Sequence, residues 1–313
     1  MSDERGPTDV LALKQQITDS WDALAERWDS WAPMVEAWLA RPTAALIDMV
    51  RLTSGARVLE LAAGSGGLTL HLARTVGPNG KILATDSGPN MVKLAARNAL
   101  AAGLSNVRVR VMDGEAPDVA WASMDAVVCR QAFMFFADPA GTLERIFRVL
   151  RPGGRVGLTV FAAPEANGFV TIPVTVLSRW AHPERSERLA SAPVSAPSAP
   201  GPFSLAAPGL LESMLRGAGF AEIEARAVRC PLRPTSLDEL IRFDRDIFGD
   251  IVSNLSRRSR RRLGTNCRGR FNATWRRARP AFLASCWSLQ GGGQGTRRRS
   301  APRKEGAREV AGA

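Results

Sequence analysis

The 313-residue chain has no tyrosine and two histidines, His71 and His182. The first absence excludes a tyrosine base or nucleophile, and the second leaves too few imidazoles for a histidine-rich metal centre. The four cysteines, Cys129, Cys230, Cys267 and Cys286, are widely spaced and form no C-x-x-C pair. That excludes a disulfide framework and suits a reducing cytoplasm. No apolar run reaches eighteen residues, so no membrane span is expected. The first nine residues are polar and partly acidic, with no basic flank and apolar stretch, so no signal peptide is expected. Acidic residues are scarce in one region only. The last 58 residues carry 16 basic and 2 acidic side chains, whereas the first 255 carry 26 and 28. The main body is thus near neutral and has no nucleic-acid footprint of its own.

What is present centres on the stretch Val58-Leu59-Glu60-Leu61-Ala62-Ala63-Gly64-Ser65-Gly66-Gly67-Leu68. An apolar run over 57–61 predicts a buried parallel strand, and apolar spacing from Leu68 to Val76 predicts a helix. The glycines between them allow a tight turn and close approach of a ligand to the backbone. Amide groups at the helix start can face an anionic or polar ligand.

Four further strand–helix alternations follow. Strands are predicted over 81–85, 107–111, 124–129 and 155–161, with helices over 89–101 and 139–150. Asp86 closes the second strand, 22 residues after Gly64, where nucleotide-binding folds place an acid on ribose hydroxyls. Its alternative reading is a cap for the helix that follows. Asp113-Gly114 stands at the end of the third strand, and Arg130-Gln131 at the end of the fourth, where ligands bind in open α/β sheets. Helices are expected before the glycine turn as well, over 10–40 and, starting at Pro42, over 43–52. Trp21, Trp28 and Trp31 are spaced to share one helical face, either a core stripe or an aromatic cover over an apolar substrate. After the fifth strand comes an insert rich in Ala, Ser and Pro. A helix over 208–216, a sixth strand over 220–230 and a helix over 236–248 then follow. This order predicts an α/β fold with a doubly wound, mostly parallel, Rossmann-like sheet. The chain divides into an N-terminal helical cap (1–52), a core (53–161), a lid (162–207), the rest of the core (208–255) and a basic tail (256–313).

The glycine corner, Asp86 with Met91, Asp113-Gly114, the segment 130–136 and Leu150-Arg151-Pro152-Gly153-Gly154 together resemble the class I S-adenosylmethionine-dependent methyltransferases. They are most similar to the ubiquinone/menaquinone-biosynthesis, or UbiE-like, branch. The resemblance spans roughly residues 21–229. The match to motif I is imperfect, because Leu68 stands at its third glycine. It implies S-adenosyl-L-methionine as cofactor and methyl transfer by direct displacement, with no metal. Glu60, Gly64 and Gly66 would line the methionine end. Asp86 would hold the ribose, with Met91 against adenine. Asp113 and Gly114 would contact the adenine edge, and Arg130 and Gln131 would sit near the methionine moiety or the acceptor entrance. The general base stays unassigned, His182 being the sole histidine of the lid.

Such folds end on an antiparallel seventh strand, and none is expected here after Asn254, where arginine clusters and glycine runs take over. Back-translating residues 271–292 with GC-rich codons and shifting the frame by two bases yields a Pro-Gly turn and a valine-rich run. The tail therefore reads as a frameshift product, or else as a disordered basic arm for RNA or DNA. The acceptor expected is a small hydrophobic or aromatic molecule, quinol- or phenol-like. Rival readings are an RNA-modifying methyltransferase using the tail and a catalytically inactive binding protein of the same fold. A third, an NAD-dependent oxidoreductase, conflicts with the missing third glycine and with Asp113-Gly114. Oligomeric state is not legible.

Overall fold

The computed structural model describes residues 7–171, 199–253 and 283–293. Three helices come first: α1 (Pro7–Ala23), α2 (Ala25–Ser30) and α3 (Ala32–Val50). The alternating core follows as β1 (Arg57–Leu61), α4 (Gly67–Val76), β2 (Lys81–Asp86), α5 (Pro89–Ala101), β3 (Val107–Val111), β4 (Met124–Arg130), α6 (Pro139–Val149) and β5 (Leu150–Phe161). The chain then adds α7 (Leu210–Gly217), β6 (Phe220–Pro231), α8 (Leu237–Ser253) and β7 (Leu283–Gly293). The strands form one seven-stranded sheet in the order β3-β2-β1-β4-β5-β7-β6.

The central strands are apolar on both faces because helices cover both. Val58, Leu59 and Leu61 of β1 and Val127, Val128 and Cys129 of β4 are buried. β1 pairs in parallel with β2 and β4, so the order reverses between them and opens a crevice at their carboxyl ends. α6 begins where Asp138 accepts a 2.9 Å hydrogen bond from the Gly141 N–H, a side-chain cap. α3 crosses the far half of the sheet closely because Gly157 on β5 has no side chain; a Cβ there would lie 2.8 Å from Leu46 Cδ1. Among the described residues no helix is long and apolar enough to cross a membrane.

Three expectations need correction. α3 runs unbroken through Pro42, which the sequence suggests as the start of a new helix. Val35, Trp38, Leu39, Thr43, Leu46, Met49 and Val50 form one buried face along it, and that packing outweighs the single hydrogen bond proline removes. The single helix expected over 10–40 is interrupted at Leu24 and again at Trp31, although Trp21 and Trp28 still meet across the first break.

The seventh strand is present. β7 lies antiparallel between β5 and β6, with Thr159 opposite Ser288 and Arg226 opposite Ser288 on the other side. It supplies backbone partners to both β5 and β6, and β6 forms that edge of the sheet. The absence that suggested a shifted reading frame therefore does not hold. The arginine clusters of the tail, and most of the lid, lie outside the described residues. The end of the lid is described: Gly201 N–H and Ser204 Oγ both donate to the Met134 carbonyl, at 2.9 and 2.6 Å.

Candidate active site

The turn after β1 is built on left-handed backbone. Ala62, Gly64 and Gly66 all have positive φ, at 52°, 58° and 91°. Asp86, at the end of β2, ties this turn to the next one. Its Oδ2 accepts from the Gly64 N–H and its Oδ1 from the Gly88 N–H, each at 2.9 Å. Burial pushes the Asp86 carboxyl up, and those two amides oppose the shift. One lone pair on each oxygen is left over, enough to accept from two vicinal hydroxyls.

The two predicted glycines differ in what they do. Gly64 faces the crevice, where a Cβ would meet only Trp28 Nε1, at 3.8 Å. Gly66 faces α5 instead, where a Cβ would lie 3.1 Å from Ala95 Cα. Gly66→Ala would combine that clash with a strained φ and should lower stability by about 1–3 kcal/mol, as read by urea unfolding. A loss within a few tenths would mean that the turn relaxes freely. Gly67, not singled out from the sequence, matters more to the site. A Cβ on it would collide with the Glu36 carboxylate and the Arg130 guanidinium.

Glu36 of α3 and Arg130 of β4 form the charged centre. Arg130 donates to both Glu36 oxygens, at 3.0 and 2.6 Å, and to Thr43 Oγ1 at 2.8 Å. His71 Nε2 lies 3.7 Å from Glu36 Oε2. Burial pushes the Glu36 carboxyl up, but His71 and Arg130 outweigh it and hold it at about 2. Beneath them Glu60 is 1% exposed and accepts a 2.6 Å hydrogen bond from the Thr69 hydroxyl. Burial pushes its carboxyl to about 8, against that hydrogen bond and the Arg130 charge.

Glu60 therefore gives a pH test. From the ordinary 4.5 up to about 8 the folded chain keeps a proton that the unfolded chain releases. The stability penalty grows as pH rises through that window, by at most about 1.4 kcal/mol per unit. Glu60→Gln keeps an acceptor for Thr69 and cannot ionise. Its unfolding midpoint should fall less than the parent's between about pH 5 and about pH 8. Parallel curves would show that Glu60 is charged in the fold.

Asp113 pairs with Lys14 of α1 and its Oδ1 accepts from the Glu115 N–H at 2.9 Å. Gly114 leaves room for Phe136, whose Cζ would lie 2.9 Å from an added Cβ. Met91 packs with Ala25, Leu94, Trp21 and Trp28, so it anchors the N-terminal cap to α5. Gln131 has φ of 58°, and its N–H donates to Thr159 Oγ1 at 3.0 Å. Positive φ on a glutamine is strained backbone held by its surroundings. Cys129 is fully buried and burial pushes its thiol up, so it is no nucleophile.

The N-terminal helices roof the crevice. Trp21 meets Trp28 edge-on at 5.7 Å and Phe135 at 5.6 Å. Asp22 Oδ1 accepts from the Asn90 N–H at 2.7 Å, and a Cβ on Gly88 would lie 2.6 Å from that same oxygen. Lys14, Glu36, Thr43 and Gly67 are the site residues that sequence reasoning missed. Gly67 stood in the turn itself. The other three are far in sequence from what they touch.

Residues 52–167 match the family model described as "Methyltransferase domain". Nocamycin O-methyltransferase of Saccharothrix syringae is 31% identical over 212 residues, which are 64% of this chain and 72% of that protein. The chain belongs to the class I S-adenosylmethionine-dependent methyltransferases. It is a SAM-dependent enzyme by that membership, and its cofactor is S-adenosyl-L-methionine. A demethylmenaquinone methyltransferase of Thermus thermophilus is 34% identical over 128 residues, 39% of this chain and 55% of that protein, a likeness to the UbiE-like branch. The fold matches the YcgJ protein of Bacillus subtilis with a TM-score of 0.53 at 19% identity, covering 81% of this chain and 98% of that one. The crevice of the methyltransferase fits its cofactor. Gly64 leaves open backbone beneath Trp28, and Asp86 keeps acceptor capacity behind it.

Proposed function

We propose that this methyltransferase methylates an oxygen of a small hydrophobic or aromatic acceptor by direct displacement. The observation that carries the reading is the aromatic roof. Trp21, Trp28 and Phe135 stand over a crevice whose floor holds Asp86, Glu60 and Arg130. The name of the nocamycin relative, an O-methyltransferase, supports oxygen as the accepting atom.

The cofactor supplies an activated methyl group on a sulfonium, and the chain's residues align it and exclude water. In this reading Asp86 accepts from the ribose hydroxyls and Met91 packs near the adenine. Asp113 and Gly114 face the adenine edge, which requires Lys14 to share Asp113. Glu60, Gly64 and Gly66 shape the methionine end. Arg130 and Gln131 form the wall between it and the acceptor.

Calorimetry with S-adenosylhomocysteine, with NAD as control, tests the cofactor half. Labelled methyl transfer to a panel of phenols and quinols, beside total RNA, tests the acceptor half. Binding of S-adenosylhomocysteine alone and labelling of the small molecules are expected. Labelling of RNA, or none of any acceptor despite binding, would overturn the acceptor reading.

A further inference from the structure

The amino-acid end of the cofactor carries an ammonium, and an ammonium taken out of water needs an acceptor in the protein. The acids around the crevice differ in what they have left to offer. Glu60 is 1% exposed, keeps its proton up to about 8 and holds the Thr69 hydroxyl at 2.6 Å. Asp86 ties the turns at Gly64 and Gly88. Asp22 accepts from the Asn90 N–H at the start of α5, and Asp113 pairs with Lys14.

Glu36 is different. Its side chain is 28% exposed, and His71 and Arg130 keep its carboxyl ionised. Arg130 uses one lone pair on each oxygen, from Nη1 to Oε2 at 3.0 Å and from Nη2 to Oε1 at 2.6 Å. His71 stands on the Oε2 side, at 3.7 Å. A second lone pair is left on Oε1. That oxygen lies on the glycine turn, in the space a Cβ on Gly67 would take. Glu60, beneath, feels the charges of Arg130, Glu36 and Asp86, so these groups share one end of the crevice.

We propose that Glu36 receives the α-ammonium of S-adenosyl-L-methionine at Oε1 and so selects ligands that carry the amino-acid end. The inference rests on the placement of the methionine end at the glycine turn, given above. The ion pair with Arg130 stays intact, because the ammonium takes the lone pair that Arg130 leaves. Thr43 Oγ1, accepting from Arg130 at 2.8 Å, holds the guanidinium in turn. Glu36 is thus fixed before the ligand arrives, and little side-chain freedom is lost on binding. A thionucleoside with the same adenosine and sulfur but no amino acid gains nothing from this oxygen.

The test is calorimetry on the full chain with three probes: S-adenosylhomocysteine, its analogue lacking the α-amino group, and 5′-methylthioadenosine. The parent should bind S-adenosylhomocysteine about tenfold or more tighter than the deaminated analogue, as expected for a hydrogen bond to a charged group. Glu36→Gln should lose most of that preference and leave the affinity for 5′-methylthioadenosine unchanged. Glu36→Asp keeps a charge beside Arg130 but draws it back by one methylene, and should lose most of the preference with stability nearer the parent's. A preference that survives both substitutions overturns the role of Glu36 and leaves the cofactor placement standing. So does equal affinity of the parent for S-adenosylhomocysteine and its deaminated analogue. An equal loss for all three probes would make Glu36 a support of the fold alone, which also overturns the proposal. Binding of none of the probes by the parent would remove the cofactor placement and the inference with it.

Discussion

Arg130→Met is expected to destabilise the chain by about 3 kcal/mol. Breaking a buried ion pair by removing one partner costs about 3–5 kcal/mol, because the other charge stays behind. Arg130 is 10% exposed at its side chain and Glu36 28%, so the lower end of that range applies. The guanidinium makes three hydrogen bonds, two of them to one carboxylate, and methionine replaces none. What remains for Glu36 is His71 at 3.7 Å. The pair also sets a pH limit. Glu36 falls from 4.5 to about 2 in the fold, so its contribution is complete above 4.5 and is lost as pH drops toward 2. Arg130→Met should lose this acid-side slope. Glu36→Met in the same chain should recover part of the stability, since apolar replacement of both partners is often near neutral. Urea unfolding of the two single variants and the double completes the cycle. Simple additivity would show that the two residues are not coupled and that the contact is incidental.

Glu36 and Arg130 also show what the sequence makes legible and what it does not. Arg130 is readable because a near-continuously apolar strand ends there, and strand ends in this topology carry ligands. Glu36 is 94 residues away on a helix whose apolar spacing says only which face is inside. Lys14 reaches Asp113 across 99 residues for the same reason. Local periodicity predicts each element, but not which polar side chain on the cap meets which strand end. Pro42 misleads in a similar way. A helix-starting residue by local rule, it lies within a helix held by seven other buried side chains. The seventh strand is hidden by averaging. Residues 283–293 contain no charge, yet they lie inside the most basic 58 residues of the chain. Gly66 and Gly67 share one turn, and only the packing tells that the first admits Ala95 and the second Glu36. By contrast Asp86, Gly64 and Asp113 were readable because strand, turn and helix boundaries put them at the crevice before any long-range contact is known.

Asp86→Ala should weaken S-adenosylhomocysteine binding by about 1–3 kcal/mol, roughly five- to 150-fold. Two effects combine in it. The carboxylate offers acceptors to a ligand, and it also joins the turns at Gly64 and Gly88 through two 2.9 Å bonds. Asp86→Asn separates them. The amide keeps one carbonyl acceptor and replaces the other oxygen by a donor, which cannot bond a second backbone N–H. The fold should therefore lose about half of what alanine loses. The pH dependence gives the sharper distinction. Burial raises the Asp86 carboxyl, so protonation reaches it at less acidic pH than an exposed aspartate. An ionised carboxylate accepts hydroxyls better than a neutral acid. Affinity in the parent should rise with pH as Asp86 ionises, and it should be flat across that range in Asp86→Asn. Calorimetry over a pH series reads both. An affinity that rises with pH equally in the two chains would assign the titration to another group. It would also remove Asp86 from the ribose position while leaving it as the tie between the two turns.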